Sequence, residues 1–170
     1  MKKWRQQSQS SAAIMLRNLM TMVIGLTLFL GLFIILAVGQ QLLREVAATT
    51  INITNSLIKV NIDGDDDWKS WRRNSPLDTS ASYVYVHNLR KDAKDKYYFS
   101  PNANKILKIK PVKVPLVSNL YYRPKFGFLY RRMVHARGIH YTLWQSMHAQ
   151  LAVLWRVIQV TVILLLLTLL

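Results

Sequence analysis

Apolar residues crowd the two ends of this chain and thin out between them. Leu19–Val38 runs for 20 residues without a charge. At about 1.5 Å per residue such a helix spans roughly 30 Å, the thickness of a bilayer's hydrocarbon core. From Gln40 onward the apolar positions change rhythm, and Leu43, Val46, Thr50, Ile53, Leu57 and Val60 follow alternating steps of three and four. That is a heptad-like seam continuous with the apolar run. It serves either to pack a helix on its own domain or to pair it with a partner subunit, and spacing alone leaves both open.

Beyond the turn-rich stretches Asp63–Asp67 and Asn74-Ser75-Pro76 the period shifts towards two. Ser82–Leu89 predicts a strand with Tyr83, Tyr85, His87 and Leu89 on one face and Val84 and Val86 on the other. Apolar residues on both faces mark it as a central strand. Lys96–Ser100 follows a charged turn and completes a hairpin. Lys105–Pro115 alternates lysine with apolar residues, but Pro111 and Pro115 demote it to an edge or an extended loop. Phe126–His135 and Ile139–Met147 flank Ala136-Arg137-Gly138 and predict a second hairpin, with glycine available for a positive φ. Leu151, Leu154, Trp155 and Ile158 then return to helical spacing, with Trp155 and Arg156 where an interfacial anchor belongs.

The expected architecture is α+β: a long N-terminal helix, four or five antiparallel strands and a closing helix. Its segments are a basic tail over 1–18, a first transmembrane helix over 19–39, a folded domain over 40–150 and the start of a second transmembrane helix over 151–170. The purely apolar run Val157–Leu170 is 14 residues, about 21 Å and short of a full crossing. That predicts a longer parent protein whose second helix is cut here.

Charge supplies orientation. The chain holds 23 Lys and Arg against 8 Asp and Glu. Lys2, Lys3, Arg5 and Arg17 precede the first apolar run with no acid among them, while Arg44 and Glu45 cancel beyond it. Positive residues near helix ends favour the cytoplasm, which places the N-terminus inside and the central domain outside a bacterial cell membrane. A cleaved signal peptide is the competing reading, resting on the small residues Ala37 and Gly39. The long apolar run and the helical pattern continuing through that point favour an uncleaved anchor.

Candidate chemistry is sparse. There is no cysteine, and no phosphate-binding glycine loop, nucleophile elbow or HExxH helix. The acidic loop Asp63–Asp67 lacks the spacing and closing Glu of a calcium loop. His87, His135, His140 and His148 lie in or beside predicted strands. His135 and His140 flank one turn, where they could meet for metal binding or proton sensing. From Lys96 onward there are 11 Lys and Arg and no acid. Arg123, Lys125, Arg131 and Arg132, interleaved with tyrosines and Trp144, form a candidate anionic-ligand patch. Lipid headgroups, wall polymers or an anionic ligand fit it outside a membrane better than nucleic acid.

The order of parts resembles the sensor end of a Gram-positive transmembrane sensor histidine kinase: the basic tail MKKWRQQ, one anchor, a helix leaving it, YVYVHNL, a charged turn, KYYFSP, paired strands around ARG and a helix re-entering the membrane. That resemblance implies a small PAS-like extracytoplasmic domain and a parallel homodimer. It also implies a cytoplasmic kinase portion, beyond this chain, that uses ATP and addresses a cognate response regulator. This chain itself carries no catalytic motif, cofactor or metal site in that reading. Chemoreceptors and membrane cyclases share the same front end. A non-signalling two-span envelope protein, an assembly or wall-scaffolding factor, is the rival from another class.

Overall fold

The first 75 residues contain no proline, and glycine enters the first 60 only at positions 25, 31 and 39. Nothing in that stretch therefore breaks a helix. In the computed structural model, which describes residues 2–60, 70, 71, 73, 80–115 and 117–169, one α-helix, α1, runs from Lys2 to Lys59. Six strands follow: β1 (Ser82–Asn88), β2 (Tyr97–Phe99), β3 (Val112–Lys113), β4 (Leu120–Arg123), β5 (Gly127–Ala136) and β6 (Ile139–Ser146). A short helix, α2 (Ala103–Leu107), lies between β2 and β3, and α3 (His148–Leu169) closes the described chain. The acidic loop Asp63–Asp67 and the turn Asn74-Ser75-Pro76 lie outside the described residues.

The chain divides into two compact units, residues 1–41 with 152–170, and Leu42–Leu151. The first unit contains only helix. Two helices are long and apolar enough to cross a membrane, with apolar windows that are 6% and 0% buried. That exposure separates them from the core helices of soluble proteins, which hide such surface. Three of their hydroxyls are satisfied within the helix, Thr21 and Thr27 donating to the carbonyls of Arg17 and Val23, and Thr161 to that of Val157. An apolar solvent requires this arrangement. Gly31 is buried, and a Cβ there would meet Thr161 Cγ2 at 2.7 Å. The two helices therefore approach closely at a residue without a side chain. α3 begins nine residues before the purely apolar run and reaches 22 residues, about 33 Å at helical rise.

The second unit is built on one antiparallel sheet in the order β2-β1-β6-β5-β4-β3. β1 lies inside it, paired with β2 and β6, as apolar residues on both of its faces require. The β5–β6 hairpin turns at Arg137-Gly138, whose φ angles of 51° and 74° are the two positive values of a type I′ turn. One face of the sheet packs under α1: Val84, Val86, Ile139, Tyr141 and Leu143 meet Ile53 and Leu57, with Trp71 beside them. Farther along α1, Val46 joins Leu120 and Met147. The seam is thus occupied within the subunit. Val46, Thr50, Ile53 and Leu57 are buried, and Leu43 and Val60 half-buried. Thr50 and Thr54 tolerate burial because their hydroxyls bond the carbonyls of Ala47 and Thr50.

Two expectations on the second unit need correction. Lys105–Pro115, expected as an edge strand or extended loop, is so only in part: β3 is the edge strand of the sheet, but Ala103–Leu107 is helical, because Ala103 and Ile106, three apart, pack on Tyr83, Leu129 and Trp144 of the opposite sheet face. Pro111 and Pro115 bar a helix only beyond it. β4 was not anticipated at all. Its signal was the aromatic run Leu120–Arg123 between Asn119 and Pro124, too short to stand out without its partner β5.

Candidate functional site

Alternation along each strand fixes what the sheet face opposite α1 carries. β1 sends Tyr83, Tyr85 and His87 to it. The register brings Trp144, Thr142 and His140 of β6 alongside, then Arg131, Met133 and His135 of β5. β2 adds Phe99 and Tyr97, and β4 adds Tyr121 and Arg123. α2 covers only one end of this face. Met133, at 63% exposed, shows that the other end is open.

The open end holds a row of rings across four neighbouring strands. Tyr97 pairs with His87, His87 with His140, and His140 with His135. Successive ring centroids are 4.5, 6.3 and 4.2 Å apart. Tyr85 leans on Tyr97 and Phe99. Burial, and secondarily the neighbouring Tyr97, push the Tyr85 phenol above its ordinary value, so it remains a neutral donor. The facing imidazoles of His135 and His140 can offer two nitrogens to one transition-metal ion. Among the described residues no group of three or more His, Cys, Asp or Glu is placed to hold a metal. Sequence spacing pointed to the meeting of His135 and His140. His87 was missed as their neighbour, because its strand lies some fifty residues earlier. His148 begins α3 instead.

The covered end holds the cations. Arg123 closes β4 opposite Gly127. Between them Pro124 and Lys125 make a turn in which Phe126 N–H donates to the Arg123 carbonyl and Lys125 takes φ 72°. Proline at the second position and a positive φ at the third are the marks of a type II turn. The Arg123 guanidinium lies 4.3 Å from the centroid of Trp144. The Arg131 guanidinium lies 5.3 Å from the same ring and 4.2 Å from that of Tyr121, whose hydroxyl it also hydrogen-bonds. Arg123 is only 3% exposed. Burial, and then the like charge of Arg131, hold it below the ordinary arginine value.

The candidate patch is therefore divided. Arg123 and Arg131 come together around Trp144. Arg132, one residue along β5, points to the α1 side of the sheet, and Lys125 is exposed in the turn. Trp144 and Tyr121 complete the group as ring partners of the two cations. Compared with known proteins, the chain matches no family model, no curated protein and no solved structure.

Proposed function

We propose that this chain is a membrane-anchored input module that senses a stimulus on one side of a bacterial cell membrane and reports it to the other. It is of the kind that precedes a sensor histidine kinase core. The observation that carries the reading is continuity. α1 passes without a break from its apolar window into the residues that build the second unit's core. At the other end β6 passes to α3 through a single residue, Met147, itself buried. Any rearrangement of the sheet thus has a regular-structure path into both apolar helices, and two discrete packings of such elements are what a switch needs. The antiparallel sheet with a long helix on one face and a small helix on the other supports a PAS-like description of the domain. In this reading the N-terminus is cytoplasmic, the sheet domain extracellular, and ATP and a response regulator belong to a cytoplasmic kinase portion.

A parallel homodimer is part of the same proposal. The buried seam being occupied by its own sheet, the subunits join through the exposed side of α1, where Glu45, Ala48, Asn52 and Asn55 recur at steps of three and four. Single cysteines there should crosslink between subunits, whereas cysteines at Val46 and Leu57 should not.

The functional test is a chimera in which the chain is fused after Leu170 to the cytoplasmic core of a sensor kinase with a measurable output. One alanine inserted after Gln40 rotates everything beyond it by about 100°, and one inserted after Gln150 does the same before α3. Basal output should change with each insertion. Unchanged output from both, with the domain correctly exported, would return the chain to the rival class of two-span envelope proteins.

A further inference from the structure

The buried guanidinium of Arg123 is the least satisfied group on the sheet. Its Nε and Nη1 have no hydrogen-bond partner, and neither does Nε1 of Trp144, on whose ring the guanidinium rests. Three N–H-bearing nitrogens at one spot are thus removed from water with no acceptor. Each such loss is destabilising, the more so for a charged group. A second cation, Arg131, leans on the same indole and adds repulsion. The cation–π contacts offset part of this but leave the donors unmet. No acid follows Asp95 in the chain to neutralise either cation. Buried charges persist when they are paired. Among the described residues none supplies that partner.

We propose that Arg123, Arg131 and the Trp144 indole N–H form a binding site for one small oxyanion, a carboxylate or phosphate group. Arg123 Nε and Nη1 and Trp144 Nε1 have no exposed surface in this structure, so the two side chains turn on binding to let the bound oxygens accept from them, while Arg131, held by Tyr121, adds the second positive charge. A small anion fits better than a polyanionic polymer, because Arg123 and Trp144 are each only 3% exposed. Arg131 and Tyr121 are half-buried and leave the approach on their side. The site stands on the sheet alone and does not depend on the module being a sensor. If the module is one, the oxyanion belongs to the stimulus or to a constitutive ligand.

The test uses the full chain in nanodiscs of zwitterionic phosphatidylcholine. Citrate and inorganic phosphate are titrated separately at constant ionic strength set with sodium chloride, and Tm is followed by tryptophan fluorescence. A third arm replaces part of the lipid with phosphatidylglycerol. Wild type should show a saturable rise in Tm in at least one arm, and a rise confined to the anionic lipid assigns the oxyanion to a headgroup phosphate. Arg123→Met should weaken that response at least about tenfold, as expected when one member of a charged, hydrogen-bonded pair is removed. It should also raise the ligand-free Tm, because an unpaired buried charge is gone. Trp144→Phe provides a second route that keeps the ring and removes one donor, and it too should weaken the response. Lys125→Met, outside the site, should respond as wild type. Absence of a saturable response in all three arms overturns the proposal, as does an equal response in wild type, Arg123→Met and Trp144→Phe.

Discussion

The two faces of one sheet make opposite uses of alternation. Under α1 the face is aliphatic and closed, with Val84, Ile139 and Leu143 each at 1% exposure or less. On the other face the same strands present tyrosines, histidines and arginines, only partly covered by a five-residue helix. The first arrangement maximises apolar burial, each large aliphatic side chain contributing about 1.5–3 kcal/mol. The second gives up some of that stabilisation and keeps His135, His140 and part of Arg131 within reach of solvent. Apolar packing and polar, aromatic chemistry are thus separated by the pleat of the strand, one residue apart in sequence.

That separation can be broken or sharpened by substitution. The largest effect is expected on the closed face: Leu57→Ala should cost about 2–5 kcal/mol, the range for emptying a buried leucine site, read by thermal or chemical denaturation. A cost below about 1 kcal/mol would mean that α1 is not docked on the sheet. A smaller effect of opposite sign is expected at the turn on the open face. Lys125→Gly removes a positive-φ strain of about 1 kcal/mol and should raise Tm in thermal denaturation; a lower Tm would contradict the strain.

Tyr85 gives the open face a pH signature. Its phenol is raised above 10.0 in the folded state, so its contribution is fully present below that value and is lost as pH rises through the folded value. Wild type should therefore lose stability relative to Tyr85→Phe between about pH 9 and about pH 11, and a constant difference across that window would contradict the assignment. The smallest effect belongs to Met133→Ser. At 63% exposure the side chain should change stability by no more than about 0.5 kcal/mol, and a larger loss would mean that the open face is covered.

Much of this was legible before the fold was known. The helical run over residues 2–59 follows from the absence of breakers, and the β5–β6 hairpin from its turn residues. The chemistry of each face follows from alternation within single strands. The division of the arginine patch was legible too, since Arg131 and Arg132 are adjacent in a strand and so must point to opposite faces. Other features lay beyond local pattern. α2 forms because Ile106 finds the sheet, against an alternation of lysine and apolar residues that suggested an extended segment. The meeting of His87 with His140 depends on β1 pairing with a strand that begins at Ile139.

The sequence by itself determined the two long apolar helices, the period of each main strand and the charge asymmetry. These depend on neighbours within about four residues, where helix and strand periodicity are set. Tertiary structure decided what the seam of α1 faces, which histidines share a row, and that Arg123 is buried beside Arg131 without an acceptor. Those outcomes depend on the register of strands far apart in the chain, where the entropy of closing long loops is offset only once the whole sheet is assembled.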